Sequence, residues 1–156
     1  MGFVLAPILL AGCAGLGGGS PTASALDLAA VTAALRSAGI AVVDVADNLN
    51  PRDGAWQCLP GSFRLARVSQ QPPPAVALPG DKPAVDILLF SSDAERAAAQ
   101  AAIGADGQVH AQGCAAMVDW VATPHVISAR NVLLFMATED PAALAALKAA
   151  AARLGG

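Results

Sequence analysis

A chain of 156 residues with nine Lys+Arg against twelve Asp+Glu, net charge −3, has the size of one domain. With 55% apolar and only 13% charged residues, it falls outside the disordered class, which needs low hydrophobicity and high charge. The few cations are spread thinly from Arg36 to Arg153, which excludes a polyanion-binding surface, so no nucleic acid partner is expected.

No charged residue precedes Asp27. The apolar run from Gly2 to Gly12 covers about eleven residues, the length of a secretory h-region and well short of the roughly 20 that span a bilayer. It ends in Leu10-Ala11-Gly12-Cys13, which resembles the lipobox of bacterial lipoproteins: an aliphatic residue, two small residues that can enter a peptidase site, then the cysteine that takes the lipid. The resemblance implies a signal peptide over 1–12, a diacylglycerol thioether on Cys13, and a protein held to a bacterial membrane on its extracytoplasmic side. No Lys or Arg stands before the apolar run, so the expected start lies upstream of Met1. Residues 13–23, with Gly17-Gly18-Gly19-Ser20, read as a flexible tether, and 24–156 as one globular domain.

Ser24 and Asp27 resemble a capping box for a helix whose stripe is Leu28, Val31, Leu35 and Ala38, stopped at Gly39. The β-branched run Ile40 to Val45 predicts a strand. Ala46 to Gly61, rich in Asn, Pro and Gly, predicts a loop carrying Trp56 and Cys58, with Trp56 open to solvent as a ligand contact. Ser62 to Val68 reads as a second strand. Ser69 to Pro83 holds five prolines and cannot pair.

Val85 to Phe90 predicts an apolar strand, and Ser92 with Glu95 a second capped helix running to Ile103. Gln108 to Gln112 and Met117 to Ala122 read as weaker strands, with Trp120 in the core. His125 to Ala129 and Val132 to Thr138 predict a hairpin about Arg130-Asn131, in which Asn131 takes the left-handed conformation. Asp140 and Pro141 open a last helix with Leu144, Leu147, Ala151 and Leu154 inward. Runs of neighbouring strands without βαβ alternation predict an α+β fold: one mostly antiparallel sheet with helices packed on one face.

With Cys13 lipidated, Cys58 and Cys114 are left as an even pair in an oxidising compartment, which favours a disulfide. It would close a loop of roughly 57 residues, worth about 4 kcal/mol in the chain-entropy account. A reactive thiol at either position is the alternative, as is a copper(I) site from His110, Cys114 and Met117 with His125 as a fourth ligand. No cofactor motif is present. His110 and His125 are the side chains able to act as bases near neutral pH, and a serine hydrolase would need one of them with a carboxylate such as Asp119, but there is no Gly-x-Ser-x-Gly elbow.

From Ala84 onward the chain resembles small uncharacterised bacterial extracytoplasmic proteins, many of them lipoproteins. The resemblance rests on Asp86 to Ala102, on Met117-Val118-Asp119-Trp120-Val121-Ala122-Thr123-Pro124-His125, and on the hairpin and last helix, Val132 to Leu154. Those relatives often carry an aromatic residue after the His and a Gly in the hairpin turn, where this chain has Val126 and Asn131. The family has no assigned activity, so the resemblance implies location and fold alone. The function expected is a lipid-anchored binding module for an envelope protein or small ligand, with Trp56 and His125 as contacts. An envelope-associated structural domain is the alternative, followed by a small hydrolase or a copper-binding protein.

Overall fold

The computed structural model describes residues 25–51, 54–70, 83–115 and 117–155. The expected signal peptide over 1–12, Cys13, the expected tether over 13–23, Ser24 and most of the proline-rich insert therefore lie outside the described residues. The elements are α1 (Leu28–Ser37), β1 (Asp44–Leu49), a 3₁₀ turn (Gly54–Trp56), β2 (Phe63–Ser69), β3 (Val85–Phe90), α2 (Asp93–Ala101), β4 (His110–Ala111), β5 (Cys114–Ala115), β6 (Pro124–Ala129), β7 (Val132–Ala137) and α3 (Pro141–Gly155). Five strands form one sheet in the order β1-β2-β3-β7-β6, every neighbouring pair antiparallel, and β4-β5 form a small hairpin apart from it. The class is α+β, as the strand runs predict.

Alternation along the central strands divides the interior into two layers. Val85, Ile87 and Leu89 of β3, with Val132, Leu134 and Met136 of β7, face a layer of aliphatic side chains closed by α1 and α3. Val31 and Leu35 of α1 and Leu147, Ala150, Ala151 and Leu154 of α3 supply its other half. Leu88, Phe90, Leu133 and Phe135 point the other way, into an aromatic layer with Trp56, Cys58 and Ala99. Thus α1 and α3 share one face, while the short α2 packs on the opposite one through Ala99, so the expectation of all helices on one face holds for α1 and α3 and fails for α2.

The caps follow the sequence with one displacement. Asp27 itself caps α1, its Oδ1 accepting from the Ala30 amide at 2.8 Å. Ser92 caps α2, and Glu95 reaches back to the amide and hydroxyl of Ser91. Asp140 accepts from Ala142 N, with Pro141 opening α3 as expected.

Three further expectations need correction. The first strand runs over Asp44–Leu49, not Ile40 to Val45: Ile40 drops into the core below the end of α1, and pairing begins only where Asp44 meets Ser69. Polar residues then pair because β2 holds them, with Asp47 clasping Arg64. Met117 to Ala122 is irregular chain, since no neighbouring strand is there to pair it.

The third correction concerns the β6–β7 turn, where Arg130 takes the positive φ (51°) in place of Asn131. Asn131 is 2% exposed; its amide donates to Phe90 O and Leu26 O and accepts from Leu26 N at 2.8 Å. One buried amide therefore ties the start of α1 to the ends of β3 and β7. Replacing it leaves backbone groups of Leu26 and Phe90 without partners. Asn131→Ala is expected to lower the unfolding free energy by about 2–3 kcal/mol in urea titrations.

Candidate functional site

The aromatic face is where the chain departs from regular structure. At its base lies Asp86, 5% exposed, on the central strand β3. Its cross-strand partner in register is Arg67, which donates from Nε at 2.5 Å and Nη2 at 2.9 Å. The same carboxylate raises the Arg67 pKa above its ordinary value through those hydrogen bonds. A third donor arrives from outside the sheet: Trp56 Nε1, at 3.0 Å from Asp86 Oδ2.

Trp56 was expected to be open. It is 2% exposed, because the carboxylate below it offers its indole N–H a partner that water would otherwise supply. Its ring meets Phe135 edge-on at 5.0 Å and Trp120 at 6.4 Å, and Trp120 tilts over Phe135 at 4.5 Å. Trp56 is thus a core residue and no ligand contact. Trp120 is partly buried, as expected, though on irregular chain; its Nε1 is buried with no hydrogen-bond partner among the described residues.

Two residues beyond Trp56, Cys58 forms the expected disulfide with Cys114, Cα–Cα 5.7 Å, across a separation of 56 residues. Cys58 is buried and Cys114 exposed, so the bond fastens the β4–β5 hairpin onto the aromatic layer from outside. The disulfide also dissolves the proposed soft-metal set. Cys114 has no thiol, Met117 points into solvent, and the His110 ring lies against Asp106 at 3.3 Å. No group of three or more His, Cys, Asp or Glu able to hold a metal occurs among the described residues.

His125 is half-buried on β6, with Nε2 3.1 Å from the carbonyl of Thr138. A carbonyl only accepts, so Nε2 carries the proton and donates it there. That nitrogen is occupied in holding β6 to the chain after β7 and is not free to act as a base.

What the site presents outward is the segment 117–123. Val121 is 101% and Met117 95% exposed, yet the segment is fastened along its length. The Gln108 amide donates to Val118 O at 2.6 Å and accepts from Val118 N at 3.0 Å, completing both backbone groups as a neighbouring strand would. Trp120 anchors the middle in the aromatic layer. At the far end Glu139 accepts from Thr123 N at 2.7 Å and Thr123 Oγ1 at 2.5 Å, while Thr138 N donates to Thr123 O. Gly107 closes beneath it: a Cβ there would lie 2.5 Å from Pro124 Cβ. The sequence offers Met117 as a soft ligand and does not mark it with Val121 as an exposed apolar pair, because an alternating apolar run looks like a strand whether or not a partner exists.

Two concavities mark the described surface, the first beside this segment and the second away from it. One of about 260 Å³ lies between the end of α2 and β6, lined by Gln100, Ile103, Ala105, Pro124 and Val126 among others. The other, a shallow groove of about 600 Å³, runs along Asn48, Phe63, Arg64 and Phe90 at the β1 side. No family model, no curated protein and no solved structure matches the chain.

Two outcomes follow. Removing the carboxylate leaves the buried Trp56 N–H without its partner while the half-exposed Arg67 can turn to water, so Asp86→Ala should cost about 1–3 kcal/mol and weaken the tryptophan bands of the near-UV circular dichroism. The two Thr123 hydrogen bonds hold the Glu139 carboxyl below the usual carboxylate range. A depressed folded-state pKa contributes stability above the unfolded value, about 4.3, and that contribution is lost as pH falls through the folded value. Protection of the Thr123 amide, relative to its intrinsic exchange rate at each pH, should therefore fall at acid pH before global unfolding, and Glu139→Gln should flatten that pH dependence.

Proposed function

We propose that the chain is a lipid-anchored binding module on the extracytoplasmic side of a bacterial membrane, and that it meets a partner protein through the 117–123 segment. The observation that carries the binding half is the presence of fully exposed Met117 and Val121 on a fastened segment. On a frayed loop, exposed apolar side chains need no explanation; on one held by paired hydrogen bonds and a partly buried tryptophan, they form a fixed apolar surface. A protein partner is favoured over a small ligand because Met117 and Val121 stand out in solvent and line neither the half-open concavity of about 260 Å³ nor the shallow groove of about 600 Å³. The anchor half rests on Leu10-Ala11-Gly12-Cys13 and draws support from the Cys58–Cys114 bridge, which belongs to oxidising compartments.

Each half has its own test. Full-length protein isolated from bacterial membranes without reductant and alkylated should show lipid on Cys13, loss of 1–12 and no alkylated thiol. A full-length mass with Cys13 alkylated removes the anchor. The double variant Met117→Ser, Val121→Ser should keep the urea midpoint of the parent and lose at least tenfold of the protein crosslinked to it in membranes. Unchanged crosslinking moves the contact away from this segment.

A further inference from the structure

The sheet has two edges, and they are treated differently. At β1 the edge is blunted: Asp44 and Asp47 stand on it, pairing with β2 shifts register between Ala46 and Leu49, and Asn48 turns into the left-handed region at φ 51°. Charges, bulges and kinks of this kind are what keep an edge from accepting another strand. At β6, Pro124-His125-Val126-Ile127-Ser128-Ala129, there is no acidic or permanently charged side chain, and the pairing with β7 runs in unbroken register.

The parity of that register shows which backbone groups face outward. Ala129 and Val132 flank a two-residue turn and exchange hydrogen bonds, so Ile127 and His125 also bond toward β7, as does Thr123, which accepts from Thr138. The N–H and C=O of Val126 and Ser128 point away from the sheet, with no partner among the described residues. Pro124, which lacks an N–H, ends the open stretch.

We infer that β6 pairs with β6 of a second copy, joining two sheets about a two-fold axis through Ile127. Antiparallel pairing on that axis sets Val126 opposite Ser128 of the second copy, and those are the residues whose bonding groups point outward. Ile127 meets Ile127 as the intervening non-bonded pair, and His125 meets Ala129. No like charges face each other across the strand pair, so the edge is complementary to itself.

The axis stands normal to the sheet, so the α1/α3 layers of both copies stay on one side. Leu26, near the start of the described residues, packs on that layer, beside Asn131. Anchors preceding Leu26 in the two copies would then serve one bilayer, with the 117–123 segments facing away from it. This geometry rests on the lipid-anchored reading; the strand pairing does not. An edge contact alone is small, so pairing is weak between free chains and is raised by the effective concentration that a shared membrane supplies.

The test uses full-length chain in bacterial membranes carrying Ile127→Cys, oxidised with copper–phenanthroline and run without reductant. Cβ atoms of a non-bonded antiparallel pair come within disulfide reach. The expected result is a crosslinked dimer at least tenfold above that of Val43→Cys, an exposed control away from β6. Adding Ser128→Pro, which removes an outward N–H and no bond to β7, should cut the crosslink at least tenfold and leave the thermal midpoint within a few degrees. Equal crosslinking of Ile127→Cys and Val43→Cys, or indifference to Ser128→Pro, overturns the pairing. The unsubstituted chain reports the other reading separately: a dimer there comes from an unlipidated Cys13 thiol and counts against the anchor, not the edge. Should Ile127→Cys fold poorly, sedimentation of the parent against Ser128→Pro decides, equal masses at high concentration overturning the pairing.

Discussion

The aromatic half of the molecule is organised by one buried carboxylate. A buried carboxyl group at Asp86 in the middle of the central strand is tolerable because its oxygens are filled by Arg67 and by the Trp56 indole. The arginine is supplied by the adjacent strand. The tryptophan has to be brought from irregular chain, and satisfying the carboxylate fixes where that chain goes. Once Trp56 lies over Phe135, Cys58 stands where it can meet Cys114, and Trp120 finds a surface to tilt against. The polar group thus does little for burial itself and much for direction, since an all-aliphatic face would accept the connection in several poses.

The two faces of the sheet consequently solve the packing problem by different means. Around α1 and α3, small and aliphatic residues interlock on helices whose geometry is set by their own backbone bonds. Opposite them, rings, a disulfide and side-chain amides stand in for missing secondary structure, with Gln108 playing the part of a neighbouring strand for Val118. Only the second arrangement leaves a segment fastened and outward-facing at once, which is why the proposed contact surface belongs there.

The sequence made legible whatever depends on neighbours along the chain. Element order, the Ser92 and Asp140 caps, the β6–β7 hairpin and the Cys58–Cys114 pairing are all expressed in short spacings or simple parity. What failed depends on neighbours in space. The β-branched run at Ile40 looked like a strand, but strand position is chosen by Ser69 and Arg64 some twenty residues on. Trp56 looked exposed because it sits among Asn, Pro and Gly, and nothing local announces the carboxylate thirty residues later. Asn131 looked like a turn former, whereas its amide is spent on Leu26 and Phe90, so Arg130 bears the unusual torsion. The candidate surface was hidden for the same reason: exposure of Met117 and Val121 is decided by the absence of a pairing strand, a property no window of sequence records.

Gln70 Nε2 donates to the carbonyl of Pro83 at 2.7 Å, just beyond the paired residues Val68 and Val85. The side chain works as a clasp at the neck of the β2–β3 connection, so the two strands are registered before the intervening residues contribute anything. The register of Val68 against Val85 is thereby latched by a bond outside the strand ladder itself, at the mouth of the connection.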